Sequence, residues 1–160
     1  MVKHVHRIPA DDNVREAIRI MIERQFGERL ADYVANISSL EIQLSPKTGR
    51  IRYVFADGKR ILTLRASDGW FTVSLDFANA IINLCEGKKH KVISEKDVDL
   101  KGSLLVPGVV DCDDNIRPGN EVVIVDVEGK LVGVGKARMS CAAMKTSLKG
   151  EAVRVRVKAR

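Results

Sequence analysis

The residues best suited to chemistry lie at the end of the chain. Val153, Val155, Val157 and Ala159 alternate there with Arg154, Arg156, Lys158 and Arg160. A β-strand sends successive side chains to opposite faces, so the spacing predicts one apolar face and a ladder of four cations on the other. Same-face side chains repeat roughly every 6.5–7 Å, close to the spacing of phosphates along a nucleic-acid strand. Such a ladder reads either as a polyanion-binding surface or as a solvated strand face whose Lys and Arg blunt a sheet edge. Lys145 and Lys149 just upstream favour the polyanion. The net charge is only +6, so its distribution matters more. Residues 91–135 hold five Lys and Arg against nine Asp and Glu, whereas residues 136–160 hold eight against one. That segregation is the electrostatic footprint of a polyanion-binding surface.

Candidates for catalysis are few. His4 and His6 could form a metal pair, but no third ligand accompanies them. Asp111, Asp113 and Asp114 beside Cys112 read as a polar loop more readily than as a carboxylate site. No phosphate-binding glycine loop, nucleophile elbow or zinc-protease motif is present. The three cysteines, Cys85, Cys112 and Cys141, are odd in number, irregular in spacing and without a CxxC pair. They read as buried thiols rather than as a disulfide framework. Trp70 and Phe71 could stack on bases, but packing between helices and a small sheet is the expected use. No metal, cofactor or catalytic residue is assigned.

The elements that must position the ladder follow from periodicity. Asp11, Asp12 and Asn13 offer helix caps, and Asn13 with Glu16 has capping-box spacing. Val14, Ala17, Ile18, Met21 and Ile22 recur at helical period, with Gly27 as the stop. A second short helix is expected from Glu28 to about Val34. Leu40, Ile42 and Leu44 alternate as a strand. Ile51 to Phe55 and Ile61 to Leu64 flank an Asp57-Gly58 hairpin turn. Trp70 to Ser74 adds a strand, and Phe77 to Leu84 a helix closed by Gly87. Beyond Gly87-Lys88-Lys89-His90 the chain reads as short strands: Val92-Ile93, Val109-Val110, Glu121 to Val127, Leu131 to Ala137 and Ala152 to Ala159. Many short strands with Gly-rich turns point to a small barrel. No apolar run approaches the ~18 residues of a membrane helix, and Met1 to Ala10 has no signal-peptide core. A cytoplasmic protein is the expectation.

Several stretches resemble a PUA domain. They are a helix-like Glu95 to Leu100, then Lys101-Gly102-Ser103-Leu104-Leu105-Val106-Pro107-Gly108-Val109-Val110, then Ile116-Arg117-Pro118-Gly119-Asn120-Glu121-Val122, then Gly133-Val134-Gly135-Lys136-Ala137, and last Gly150-Glu151-Ala152-Val153. The resemblance implies a pseudo-barrel that binds structured RNA, commonly tRNA. It implies an RNA surface on the segment Lys101, Gly102, Ser103, Leu104, Val106, Pro107 and Gly108. The last strand, with Arg154, Arg156 and Lys158, completes that surface. Lys145 and Lys149 join it from the charge argument.

The first half is similar to the domain preceding PUA in archaeal tRNA-guanine transglycosylases, the archaeosine enzymes. The similarity rests on Arg24-Gln25-Phe26-Gly27, Thr48-Gly49-Arg50-Ile51-Arg52, Thr63-Leu64-Arg65 and Ser67-Asp68-Gly69-Trp70-Phe71-Thr72-Val73. Those enzymes usually carry Tyr where this chain has Arg24. Their catalytic barrel needs about 250 residues and does not fit here. The Pro-Cys motif of the related archaeosine synthase is absent.

The expectation is therefore an α+β protein of archaeal type. A small helix-flanked sheet domain (residues 1–88) precedes a PUA-type β-barrel (residues 89–160). It is expected to be no enzyme itself, but to bind structured RNA, in particular tRNA, as docking subunit for a separately encoded transglycosylase catalytic subunit. The alternative is a translation-associated factor binding ribosomal RNA or an initiation partner. No membrane partner is expected, and the sequence does not set the oligomeric state.

Overall fold

A computed structural model describes residues 6–160, so His4 lies outside the described residues. The chain divides into two compact units, Met1–Phe77 and Ala78–Arg160.

In the first unit, helix α1 (Asp12–Phe26) starts where the Asp11 carboxylate accepts the Val14 amide at 2.8 Å. The cap is thus Asp11 and not Asn13, and Glu16 pairs instead with Arg19. Ile18, Ile22 and Phe26, each four residues apart, are buried. Gly27, at φ 97°, ends α1 and opens α2 (Glu28–Ala35). No L side chain adopts that backbone readily. Arg15 anchors the helix by donating to the carbonyls of Ala10, Ala35, Ile37 and Ser38.

Five antiparallel strands follow one another across a sheet: β1 (Ile8–Pro9), β2 (Glu41–Leu44), β3 (Ile51–Ala56), β4 (Lys59–Leu64) and β5 (Phe71–Val73). The β3–β4 turn is Asp57-Gly58, both at positive φ, as the sequence predicts. Ile42, Val54, Leu62 and Val73 lie side by side and are buried. Their neighbours Gln43, Tyr53, Thr63 and Thr72 form the opposite, half-exposed row. The Gln25 side chain both donates to and accepts from the Phe71 backbone at 2.8 Å, tying α1 to β5. Helix α3 (Leu75–Leu84) follows, and the division between the units falls within it.

The second unit is a curled, half-barrel sheet. Its strands are β6 (Lys91–Ser94), β7 (Ser103–Leu105), β8 (Val109–Cys112), β9 (Glu121–Asp126), β10 (Leu131–Ala137) and β11 (Glu151–Lys158). They run in the order β7-β11-β10-β9-β6-β8, with only β6 and β9 parallel. A 3-10 turn, Val106–Gly108, joins β7 to β8, and helix α4 (Cys141–Thr146) precedes β11. Val92, Leu104, Ile124, Met144 and Val153 are among the residues of one core. Gly135 shows why this motif needs glycine: a Cβ there would collide with the Arg154 carbonyl oxygen of the neighbouring strand.

Four expectations need correction. Glu95 to Leu100 is not helical, because Asp97 stands at φ 58° and a six-residue segment cannot nucleate past such a break. Helix α4 was not foreseen, its six residues being too few for a periodic signal. Cys112 and Cys141 are not free thiols but a disulfide, with Cα atoms 5.8 Å apart. They lie 29 residues apart in sequence, and the β9–β10 hairpin returns the chain to β8, which no spacing rule detects. Cys85 is buried and takes no part in a disulfide. Lastly, the valine face of β11 is not all core: Val153 is fully buried, Val155 half-buried, and Val157 exposed. A register shift between Val155 and Val157 inverts the alternation, so Val157 joins the outer face and Lys158, paired with Gly133, leaves it.

Among the described residues, no helix is long and apolar enough to cross a membrane.

Candidate nucleic-acid interface

The cationic side of β11 forms part of a row across four strands. Glu121, Lys136, Arg154 and Ser103 are successive cross-strand partners on β9, β10, β11 and β7. Arg156 lies two residues along from Arg154, on the same face. Its guanidinium grips both carboxylate oxygens of Glu121, whose side chain is 1% exposed. Glu151 gathers Arg154 at 3.3 Å, Arg138 at 3.4 Å and the Ser103 hydroxyl. The Ser103 hydrogen bond, followed by the two arginine charges, holds the Glu151 carboxyl below its usual range. The ladder is thus not four equivalent cations. Arg156 is committed to Glu121, Arg154 remains 62% exposed beside Glu151, and Lys158, paired with Gly133 beyond the register shift, is exposed and makes no ion pair among the described residues. Lys136, exposed in the middle of the row, is an added cation that sequence reasoning missed. Its place in the alternating strand β10 was the available signal.

The segment from Lys101 to Gly108 splits in two. Lys101 is exposed beside Asp99, Gly102 makes a turn at φ 80°, and Ser103 and Pro107 reach the surface. Leu104 and Val106 are buried, so their side chains serve the core rather than a ligand. Gly108 is explained by the chain itself: a Cβ would meet Val98 at 3.0 Å and Leu104 at 3.2 Å. A shallow groove of about 340 Å³ runs between Pro107, Val110, Lys145 and Leu148. Lys145 bridges Asp111 at 3.1 Å and Asp114 at 3.3 Å, and Lys149 is exposed.

The aspartates act within their loop. Asp111 accepts the Cys112 amide and pairs with Lys145 and Lys88, which together lower its carboxyl to about 2. Asp113 accepts the His90 and Asn115 amides. Among the described residues, no three His, Cys, Asp or Glu side chains are grouped to hold a metal ion.

The first unit has a basic face that the sequence reading overlooked. Residues 41–65 hold six Lys and Arg against two acids, while residues 11–35 hold four against six. The positive charge therefore collects on the sheet strands and the turns between them. On the open face the Arg60 guanidinium lies 5.0 Å from the Tyr53 ring centre, and Arg7 lies 4.1 Å from that of Phe55. Glu41 shares this face. Trp70 is 38% exposed whereas Phe71 is fully buried, so the two aromatics part ways.

Comparisons with known proteins match two successive parts of the chain. Residues 94–158 match the PUA domain, and residues 16–88 match the patch-forming domain C2 of tRNA-guanine transglycosylase. Among curated relatives, the tRNA-guanine(15) transglycosylase of Methanobrevibacter smithii is 32% identical over 152 residues, 92% of this chain and 23% of its own length. That of Thermococcus onnurineus is 31% identical over 92% of this chain and 26% of its own length. The chain spans about a quarter of the length of these relatives. A hypothetical protein of Pyrococcus horikoshii OT3 superimposes with a TM-score of 0.70 at 22% identity, covering 97% of this chain and 95% of that one. A conserved PUA domain protein from Thermoplasma acidophilum gives 0.59 at 22% identity, covering 97% and 93%. Both show the fold. The chain is a two-domain α+β protein in which the C2 patch-forming domain of tRNA-guanine transglycosylase precedes a PUA domain.

Proposed function

We propose that this protein binds structured RNA, specifically tRNA, and takes no direct part in bond making. The observation that carries the reading is the pair Lys136 and Arg154 on the outer face of the PUA sheet, with Lys158 exposed further along β11. Ser103 stands beside it as a small donor and acceptor. Lysine and arginine at strand spacing engage phosphates, which fix position without reading sequence, and a hydroxyl can address a ribose 2′-OH. Arg156 is a structural member of this surface. Lys101, Lys145 and Lys149 with the groove at Pro107 extend it. The basic sheet face of the first unit, with Arg60 and Arg52, supports the same partner. The functional domains are taken as residues 1–88 and 89–160, following the two family matches and the sequence division at Gly87 to His90.

The relatives named above are tRNA-guanine(15) transglycosylases, and the matched part is about a quarter of each. The role that fits is docking: holding tRNA for a transglycosylase catalytic domain that lies outside these residues. The test is ultraviolet crosslinking of the full chain in native lysate, followed by sequencing of the attached RNA. Enrichment of tRNA supports the reading. Enrichment of ribosomal RNA instead would replace it with a translation-associated role.

A further inference from the structure

We propose that the Cys112–Cys141 disulfide is a redox-sensitive device. Oxidised, it pins α4 to β8 and fixes the cationic loop that follows; reduced, it releases both. Cys112 is the last residue of β8 and Cys141 the first of α4, and both are fully buried. Helix α4 has six residues, far fewer than the ~12–15 at which an isolated helix becomes even marginal in water. Its position therefore depends on attachments. The Ser140 hydroxyl caps it by accepting the Ala143 amide at 3.1 Å, Met144 enters the core, and Lys145 reaches back to Asp111 and Asp114. Two of these three attachments are hydrogen bonds or ion pairs near the surface. The covalent bond is the one that exposure to water does not weaken.

The consequence for RNA rests on the binding function proposed above. Lys145 lies in the last turn of α4 and Leu148 and Lys149 follow the helix; Lys145 and Leu148 line the groove with Pro107 and Val110. Freeing the helix disorders that wall of the groove while leaving the β11 row in place. In the chemical step, a dithiol such as dithiothreitol attacks one sulfur, forms a mixed disulfide, and then closes into its own cyclic disulfide. It gives up two electrons and two protons, leaving the Cys112 and Cys141 thiols. Because both sulfurs are buried, attack requires α4 to open first, so reduction is slow in native conditions and fast in denaturant.

The test uses the full chain prepared without reductant. Thiol titration in denaturant should find one thiol per chain, from Cys85; three would overturn the proposal. Next, the oxidised protein, the reduced protein and a Cys112→Ala/Cys141→Ala variant are melted and titrated with tRNA. Loss of the bridge should lower the melting temperature by roughly 10 °C. Hydrogen exchange should quicken selectively over residues 141–149, and tRNA affinity should fall about threefold. An unchanged melting temperature in the reduced wild-type chain, which needs no substitution to fold, would overturn the proposal. A lower melting temperature with unchanged tRNA affinity would overturn its link to RNA. If neither redox form binds tRNA, the RNA-binding reading fails, and the exchange data alone decide whether the disulfide holds α4.

Discussion

The Arg156 guanidinium, 35% exposed at its side chain, clasps the buried carboxylate of Glu121 two strands away. One cation of the predicted ladder is thereby a strut that joins β11 to β9 across β10.

Removing that strut should cost stability. Arg156→Gln takes the guanidinium away from the buried Glu121 carboxylate. Breaking such pairs typically costs about 3–5 kcal/mol, and partial exposure of the arginine reduces this to about 2 kcal/mol here. Thermal melts should show the loss. A variant as stable as the parent would mean that Glu121 finds another partner or a proton.

Glu151→Gln should strengthen tRNA binding severalfold. It frees Arg154 and Arg138 from a shared acid. Glu128→Gln, which removes the same charge from an exposed pair with Lys96, is the control. A fall in affinity on Glu151→Gln would show instead that this carboxylate positions Arg154 for the phosphate.

Acid should loosen the loop around the disulfide. The Asp111 carboxyl is lowered from 3.8 to about 2 by the Cys112 amide, Lys145 and Lys88. A depressed carboxyl stabilises the fold fully above its ordinary value, and that contribution disappears as pH falls through about 2. Melts between pH 5 and 2 should therefore be less pH-dependent for Asp111→Asn than for the parent. Equal slopes would contradict the assignment.

Gly135→Ala should destabilise the second unit by about 3 kcal/mol, the upper part of the range for overpacking. The added methyl has backbone, not a flexible side chain, in its way. Denaturant titration reads the change.

The outline of both units was legible in the sequence because it rests on local signals. Helical spacing at Ile18 and Ile22, the Asp57-Gly58 turn and the alternation of β11 each need only neighbours along the chain. What escaped depends on distant partners. Glu121 reads as an ordinary turn-to-strand residue until β10 and β11 bring Arg156 over it. Cys112 and Cys141 meet only through the intervening hairpin. The basic face of the first unit stayed hidden because, along the chain, its acidic helices offset the basic strands and turns. Arg15 looks like a surface cation in the sequence, yet it holds four backbone carbonyls.

The most direct test of RNA binding through Lys136, Arg154 and the neighbouring end of β11 is the salt dependence of tRNA affinity in three proteins. They are the parent, Lys136→Gln/Arg154→Gln/Lys158→Gln, and a control, Arg24→Gln/Lys89→Gln/Lys96→Gln, which removes equal charge from exposed positions off the row. Each phosphate contact contributes nearly one unit of log–log slope. The row variant should lose affinity for most tRNAs alike and flatten the slope by about two to three units, with its melting temperature nearly unchanged. The control should keep the parental slope. Equal losses in both variants, or a parental slope near zero, would contradict the account.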